Sequence, residues 1–551
     1  MTFLSRFMTA ALFAFIAACA HAADASPNTT VINAPAGSIR GVKRDGVQSF
    51  KGIPYAAAPI GELRWKRPAA AAGWEGVLDA TEFGPACMQF RADPTSIYAE
   101  NLDAVSEDCL SLNIWKPEDA ENAPVFVWIH GGALRGGASS MSIYDGAALA
   151  ERGVIVVSIN YRLGVFGYLA HPELSAESPD GVSGNYGLLD QIAALEWVQR
   201  NIAAFGGDPD NVTIAGESAG ALSVMYLMAS PPARGLFHRA IAQSAYMIST
   251  PSLKEARYGM PAAEAVGVYV ASKLGADDMA AMREMDADTL LKKSIKAGYV
   301  AWGTVDGVIL PDELVNVFDR GEQAPVPILA GFNSGEIRSL RALLPKPPKN
   351  AEVYETEIRA RYGELADAFL EQYPPDDIEE SMLATTRDAM YGWTAERLAR
   401  NQTEIGAEGY LYIFDHGYPA ANRLGLHAFH ASEIPYMFGT IDNTTPTWPE
   451  IPNTAVERNL SDAMVGYWSS FARDGAPSAE GYAAWRPYSS DEAYMYFEGE
   501  PEGGARDLLP GMYELHEKVM CRRRAAGDIA WNWNVGVASP PLPPQAPGGQ
   551  C

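Results

Sequence analysis

The sequence predicts an α/β fold, with a large mixed and mostly parallel central sheet, helices on both faces and helical insertions capping the sheet. Three observations lead there. Pro124-Val125-Phe126-Val127-Trp128-Ile129 and Val154-Ile155-Val156-Val157-Ser158-Ile159 are nearly continuous apolar runs, the pattern of strands covered on both faces. Between residues 187 and 205, Leu188, Ile192, Leu195, Val198 and Ile202 recur at spacings of three and four, which describes an amphipathic helix that Trp197 helps to pack. After the break at Gly206-Gly207-Asp208-Pro209, Asn211 to Gly216 reads as a strand and Ala219 to Ala229, free of proline, as a helix, with Ser218 at the junction.

The other elements follow the same logic. Gly37 to Val42 and Gln48 to Ile53 alternate short apolar runs with glycine turns, as a small antiparallel meander at the sheet edge does. Pro325 to Gly331 and Gly409 to Phe414 read as later strands, so the sheet extends through most of the chain. Residues 250–320 and 340–410 read mostly as helices with polar faces, insertions that cap the sheet. Beyond Val535, Pro540-Pro541-Leu542-Pro543-Pro544 and Gly548-Gly549 are expected to stay disordered, because proline and glycine disfavour packing. The domain limits are therefore 1–22 for a signal peptide, 23–533 for one folded unit and 534–551 for a disordered tail.

Hydrophobic residues make up 48% of the 551 and charged residues 20%, enough to bury a substantial core. The formal net charge of −26 disfavours long-range attraction to nucleic acid and anionic membranes, both polyanions. Arg6, the apolar run Met8 to Ala18 and Ala20-His21-Ala22 fit an export signal cleaved before Ala23, implying a periplasmic or secreted protein. Ile16-Ala17-Ala18-Cys19 also resembles a lipobox, so a lipid anchor at Cys19 is the alternative. No segment is long enough to span a bilayer. Export permits disulfides among Cys87, Cys109, Cys521 and Cys551, though the last two have no evident role. No cysteine and histidine cluster has metal-ligand spacing, so no metal is expected.

The chemistry centres on Gly216-Glu217-Ser218-Ala219-Gly220. A serine in Gly-x-Ser-x-Gly between strand and helix forms a nucleophile elbow, where the glycines allow a tight turn and close backbone approach. Such a serine needs a base and an acid, in the order serine, acid, histidine. His427 and His430 both remain open as the base. Glu336, just beyond an apolar strand, is one acid candidate among many carboxylates. His130-Gly131-Gly132-Ala133 follows the strand ending at Ile129, as a loop whose backbone N–H groups stabilise an oxyanion would.

Taken together, these residues resemble the type-B carboxylesterase and cholinesterase family of α/β-hydrolases, over residues 30 to 530. The likeness is carried by Phe50-Lys51-Gly52-Ile53-Pro54-Tyr55-Ala56, by Glu107-Asp108-Cys109-Leu110-Ser111-Leu112-Asn113, and by Phe205-Gly206-Gly207-Asp208-Pro209 through Gly220. The resemblance implies a serine carboxylic-ester hydrolase, with a bacterial secreted carboxylesterase as the expected member. Gly331-Phe332-Asn333-Ser334-Gly335-Glu336 is similar to the family's acid motif, and His430-Ala431-Ser432-Glu433-Ile434-Pro435-Tyr436 to the segment that begins with its histidine. By that matching the triad is Ser218, Glu336 and His430. The oxyanion donors are the N–H groups of Gly132, Ala133 and Ala219, and Glu217, Ser244 and Glu433 are buried supports. Cys87 and Cys109 fall where the family places its first disulfide.

The resemblance calls for no cofactor and for a neutral or specialised small-molecule ester as substrate. Ala133 replaces the glycine of many relatives. The segment between Cys87 and Cys109 holds Phe90 and Tyr98 but no tryptophan, unlike the cation-binding loop of cholinesterases. The alternative reading is a catalytically inactive, cholinesterase-like adhesion or binding protein of the neuroligin kind, against which the intact Ser218, Glu336 and His430 argue.

Overall fold

The two apolar runs form the strands Ala123–Ile129 and Ile155–Ile159 in the middle of one sheet, and the alternation of their side chains explains their composition. Val125, Val127 and Ile129 enter a core shared with the helices Tyr186–Asn201 and Ala219–Ala229. Phe126 and Trp128 enter a second core against the helix Ala455–Asp474. With both faces covered, every position must be apolar or satisfied.

The computed structural model describes residues 28–102, 104–531, 534–545 and 551; the expected signal peptide and Cys19 lie outside them. In chain order the strands are β1 (Thr29–Ala34), β2 (Gly37–Arg44), β3 (Val47–Pro54), β4 (Val77–Asp79), β5 (Ala86–Cys87), β6 (Val105–Ser106), β7 (Ser111–Pro117), β8 (Ala123–Ile129), β9 (Ile155–Ile159), β10 (Gly207–Glu217), β11 (Arg239–Gln243), β12 (Ile328–Asn333), β13 (Gly409–Phe414), β14 (Ala493–Glu498) and β15 (Glu500–Arg506). The main sheet is ordered β1-β2-β3-β7-β9-β8-β10-β11-β12-β13-β14-β15, with β4 beside β2, while β5 and β6 pair separately. From β9 to β14 all neighbours are parallel, and the margins are antiparallel except for β4, which runs parallel to β2. The predicted meander is β2 and β3, and β1 adds a third antiparallel strand that the sequence reading did not name.

After β8 the chain moves one way to β9, then crosses back to lay β10 on the other side of β8. The loops leaving β8 and β10 therefore diverge, opening a crevice at the carboxyl ends of the strands, where ligands bind in open α/β sheets. The helix Tyr186–Asn201 makes the return crossing and is fixed by a buried ion pair. Arg162, just after β9, donates to Asp190 from Nε and Nη2, both at 2.7 Å, and from its backbone N at 3.0 Å.

The expectation of a disordered 534–551 tail is corrected over its described part. Val537 is buried against Tyr354, Ile358 and Val519. Arg523 donates to the Pro540 carbonyl at 2.7 Å, Arg361 to that of Ser539 at 2.7 Å, and Arg522 to that of Pro543. Prolines lack an N–H but keep a carbonyl acceptor, and arginines of the helices Ala351–Tyr362 and Met512–Ala526 supply the donors. Cys521, in the helix Met512–Ala526, bonds Cys551, giving both cysteines a role; Cys87 bonds Cys109 as expected. Among the described residues no helix is long and apolar enough to cross a membrane.

Asp190→Ala would leave the Arg162 guanidinium buried without its carboxylate, so it should cost about 3–5 kcal/mol. A thermal melt of the variant against wild type checks this, and an unchanged midpoint would show the pair to be dispensable.

Candidate active site

Ser218 stands between β10 and the helix Ala219–Ala229 with φ 56° and ψ −121°, a left-handed conformation unusual for serine. The turn must be this tight because the helix starts against the end of β8. A Cβ on Gly220 would lie 2.0 Å from the Ile129 carbonyl oxygen, and one on Gly216 would lie 2.5 Å from the Gly220 carbonyl carbon. Only glycine allows that approach. Ser218 N donates to Gln243 O of β11 at 2.9 Å, which holds the elbow to the neighbouring strand.

The loop after β8 lies against this turn, since a Cβ on Gly131 would come within 3.2 Å of Ser218 Cβ. Gly132 has φ 105°, Ala133 55° and Leu134 56°, so the loop coils with its backbone outward. Gly132 and Ala133 are exposed, and their N–H groups have no acceptor among the described residues. Ala219, first in its helix, has none within that helix. His130 braces the loop from below: it stacks on Tyr161 at 4.6 Å, and Tyr161 OH donates to its carbonyl at 2.8 Å. Burial lowers its pKa to about 4, so His130 is neutral.

Glu336 follows β12 and is fully buried. Its Oε1 accepts from Ser244 Oγ at 2.6 Å and from the Asn333 N–H at 2.9 Å, leaving Oε2 to His430 Nδ1. His430 Nε2 lies 3.0 Å from Glu217 Oε1, outside hydrogen-bond geometry, and is not hydrogen-bonded to Ser218 Oγ. Burial works against the imidazolium here, but the carboxylates of Glu217 and Glu336 outweigh it and hold the His430 pKa well above its usual value.

Glu433 completes a group of three buried carboxylates. Its oxygens accept from Gln243 Nε2 at 2.9 Å and Asn333 Nδ2 at 2.6 Å, and Trp468 Nε1 donates to Gln243 Oε1 at 3.0 Å. Burial, then the charges of Glu217 and Glu336, push the Glu433 pKa up to about 8 against the pull of Asn333, so it carries a proton at neutral pH. That removes one of three negative charges from a closed space.

The residues singled out from the sequence thus meet at one place. Ser218, Glu217 and Ala219 come from the β10 turn, Gly132 and Ala133 from the β8 loop, Ser244 from the end of β11, Glu336 from β12, and His430 and Glu433 from the loop after β13. His427, the other candidate base, faces away and pairs with Asp415 at 2.8 Å. Sequence reasoning did not name Gln243 and gave no supporting role to Asn333, although it lies in the acid motif, or to Tyr98. Asn333 and Gln243 end their strands, a position that marks them once the strands are known. Tyr98 OH donates to the His430 carbonyl at 2.8 Å and lies 2.7 Å from Ser339 Oγ, a contact across 332 residues with no local signal.

A model of the carboxylesterase family matches residues 28–510. The chain is 35% identical over 500 residues to a fumonisin B1 esterase of Sphingopyxis macrogoltabida, covering 88% of this chain and 89% of that protein. It is 34% identical over 499 residues to the para-nitrobenzyl esterase of Bacillus subtilis (strain 168), covering 87% and 98%. Among solved structures, a PNB esterase superposes with a TM-score of 0.77 at 32% identity, over 88% of this chain and 99% of that one. A Geobacillus stearothermophilus carboxylesterase gives a TM-score of 0.75 at 33% identity over the same shares. With an α/β-hydrolase sheet and relatives that are esterases along nearly its whole length, this chain belongs to the carboxylesterase family and is a carboxylic-ester hydrolase.

Proposed function

We propose that the protein cleaves small-molecule carboxylic esters through an acyl-enzyme, with Ser218 as nucleophile, His430 as general base and acid, and Glu336 orienting His430. The observation that carries this reading is the Ser218 elbow at the switch point of the sheet, with the buried Glu336–His430 pair beside it. As Ser218 Oγ attacks the ester carbonyl carbon, its proton passes to His430 Nε2. The tetrahedral oxyanion is met by the N–H groups of Gly132, Ala133 and Ala219, each worth about 3–4 kcal/mol to the transition state. Collapse expels the alcohol oxygen, which takes the proton from His430. Water then gives a proton to His430 as it attacks the acyl-enzyme, and collapse breaks the bond to Ser218 Oγ, which takes that proton back from His430 as the free acid departs.

In the resting arrangement Nε2 lies 3.0 Å from Glu217 Oε1, and the reading requires it to reach Ser218 Oγ when substrate binds. Catalytic hydrogen bonds commonly tighten only once substrate is bound. Ser244 and the Asn333 N–H hold Glu336 in place, and Glu433, through Asn333 and Gln243, fixes the strand ends behind it. Neutral and specialised esters fit the substrate reading, since the segment between Cys87 and Cys109 contains no tryptophan to hold a cation. Two disulfides support export to an oxidising compartment.

A p-nitrophenyl ester series of increasing acyl length tests the reading. Ser218→Ala and His430→Ala should each lower kcat by about 10⁴-fold or more; undiminished hydrolysis by either would sink the mechanism.

The pH profile gives a separate test. His430 must be neutral to accept the serine proton, so kcat/KM should rise with pH through a His430 pKa above 6.5. Glu217→Gln removes a charge that favours the imidazolium, so the acidic limb should move to lower pH. A limb that stays put or moves upward would show that Glu217 does not act on His430.

A further inference from the structure

His427, which takes no part in the proposed triad, has a φ of 50° and hydrogen bonds that tie it to one carboxylate. Its Nε2 is 2.8 Å from Asp415 Oδ1, and its Nδ1 is 3.2 Å from Asn422 Oδ1. Asp415, the first residue beyond β13, also accepts from Ser334 Oγ on the same Oδ1 and from Tyr496 OH of β14 on Oδ2, at 2.6 Å. Its own backbone N donates to Phe497 O at 2.8 Å, which fixes it to the sheet. Ser334 lies two residues before Glu336, and His427 three before His430. One oxygen atom thus receives a donor from each of the two segments that carry the acid and the base.

The backbones of these segments are joined as well. Gly335 N donates to Ala428 O at 2.8 Å, Gly335 and Phe429 form a parallel bridge, and Asn333 Nδ2 donates to Phe429 O at 2.9 Å. The backbone contacts set the spacing of the segments, and the Asp415 node lies at their outer end, where it opposes sliding and tilting. Arg387, packed on the same turn, donates to the Ser334 carbonyl at 3.3 Å, and Glu498 reaches the node through Tyr496 OH, also at 3.3 Å. Burial by itself would raise the Asp415 carboxyl, but hydrogen bonds from His427, Ser334 and Tyr496 outweigh it and bring its pKa down to about 2.

We propose that Asp415 is a positioning residue for ester hydrolysis: by clamping Ser334 to His427 it holds the Glu336 carboxylate in register with His430. The inference rests on the triad reading above. Errors of about 1 Å in such a pair can lower turnover by about 100-fold.

The test is a double-mutant cycle on a p-nitrophenyl ester. Asp415→Ala should lower kcat by about 10- to 100-fold with KM changed by no more than about twofold. In a Glu336→Gln background the same substitution should change kcat by less than about threefold, because no carboxylate is left to register. Ser334→Ala, which deletes one hydroxyl, should reproduce part of the fall and serves if Asp415→Ala does not fold. The proposal fails if folded Asp415→Ala, or Ser334→Ala in its place, keeps wild-type kcat, or if the loss is equally large without the Glu336 carboxylate. Failure of the triad reading is read separately, from Glu336→Gln alone turning over at the wild-type rate.

Discussion

One imidazole held among three buried carboxylates is the arrangement to which the rest of the structure answers. Ionised carboxyl groups removed from water are costly unless paired or hydrogen-bonded. Here His430 lies within contact of Glu217 and Glu336, Ser244 and the Asn333 N–H satisfy Glu336, and Glu433 takes a proton. The groups involved come from successive strand ends: the carboxylate of Glu217 closes β10, and the donors Gln243 and Asn333 close β11 and β12. Only parallel neighbours bring their carboxyl ends to the same edge, so the direction of the central strands is a condition for the charge balance.

How much could be read from the sequence depends on how local each signal is. β8 and β9 are legible because burial on both faces writes itself into six consecutive residues. Ser218 is legible because the elbow needs strand, glycines and helix within one short stretch. Glu336 and His430 are not: each is one of several of its type, and what singles them out is a contact across 94 residues. The family resemblance was needed to choose between His427 and His430, and the geometry shows why spacing could not. Both histidines meet a carboxylate from the segment after a parallel strand, Asp415 for one and Glu336 for the other. Burial separates them, since the His430 side chain is 7% exposed and that of His427 38%.

The tail misled for the opposite reason. Its composition reports what proline and glycine do alone, whereas its order comes from Arg361, Arg522 and Arg523, whose guanidinium groups find carbonyls that no helix or strand has claimed. Composition describes the cost of ordering a segment. It carries nothing about partners supplied from elsewhere in the chain.

Among the described residues, six of the fourteen non-glycine positions with left-handed φ lie at the site. Ala133, Leu134, Ser218, Ser244, His427 and Ala431 all have left-handed φ without being glycine, and all lie in the loops that build the site. Such conformations cost of order 1–2 kcal/mol per residue and persist only where surroundings over-determine them. Each of these loops leaves a central strand whose interior is buried on both faces, so relaxation of the loop would have to disturb the packed sheet. Alanine at position 133 adds to this load, because glycine would adopt the same φ freely. The family position tolerates it because the outward-facing N–H, on which the oxyanion reading depends, belongs to the backbone and not to the side chain.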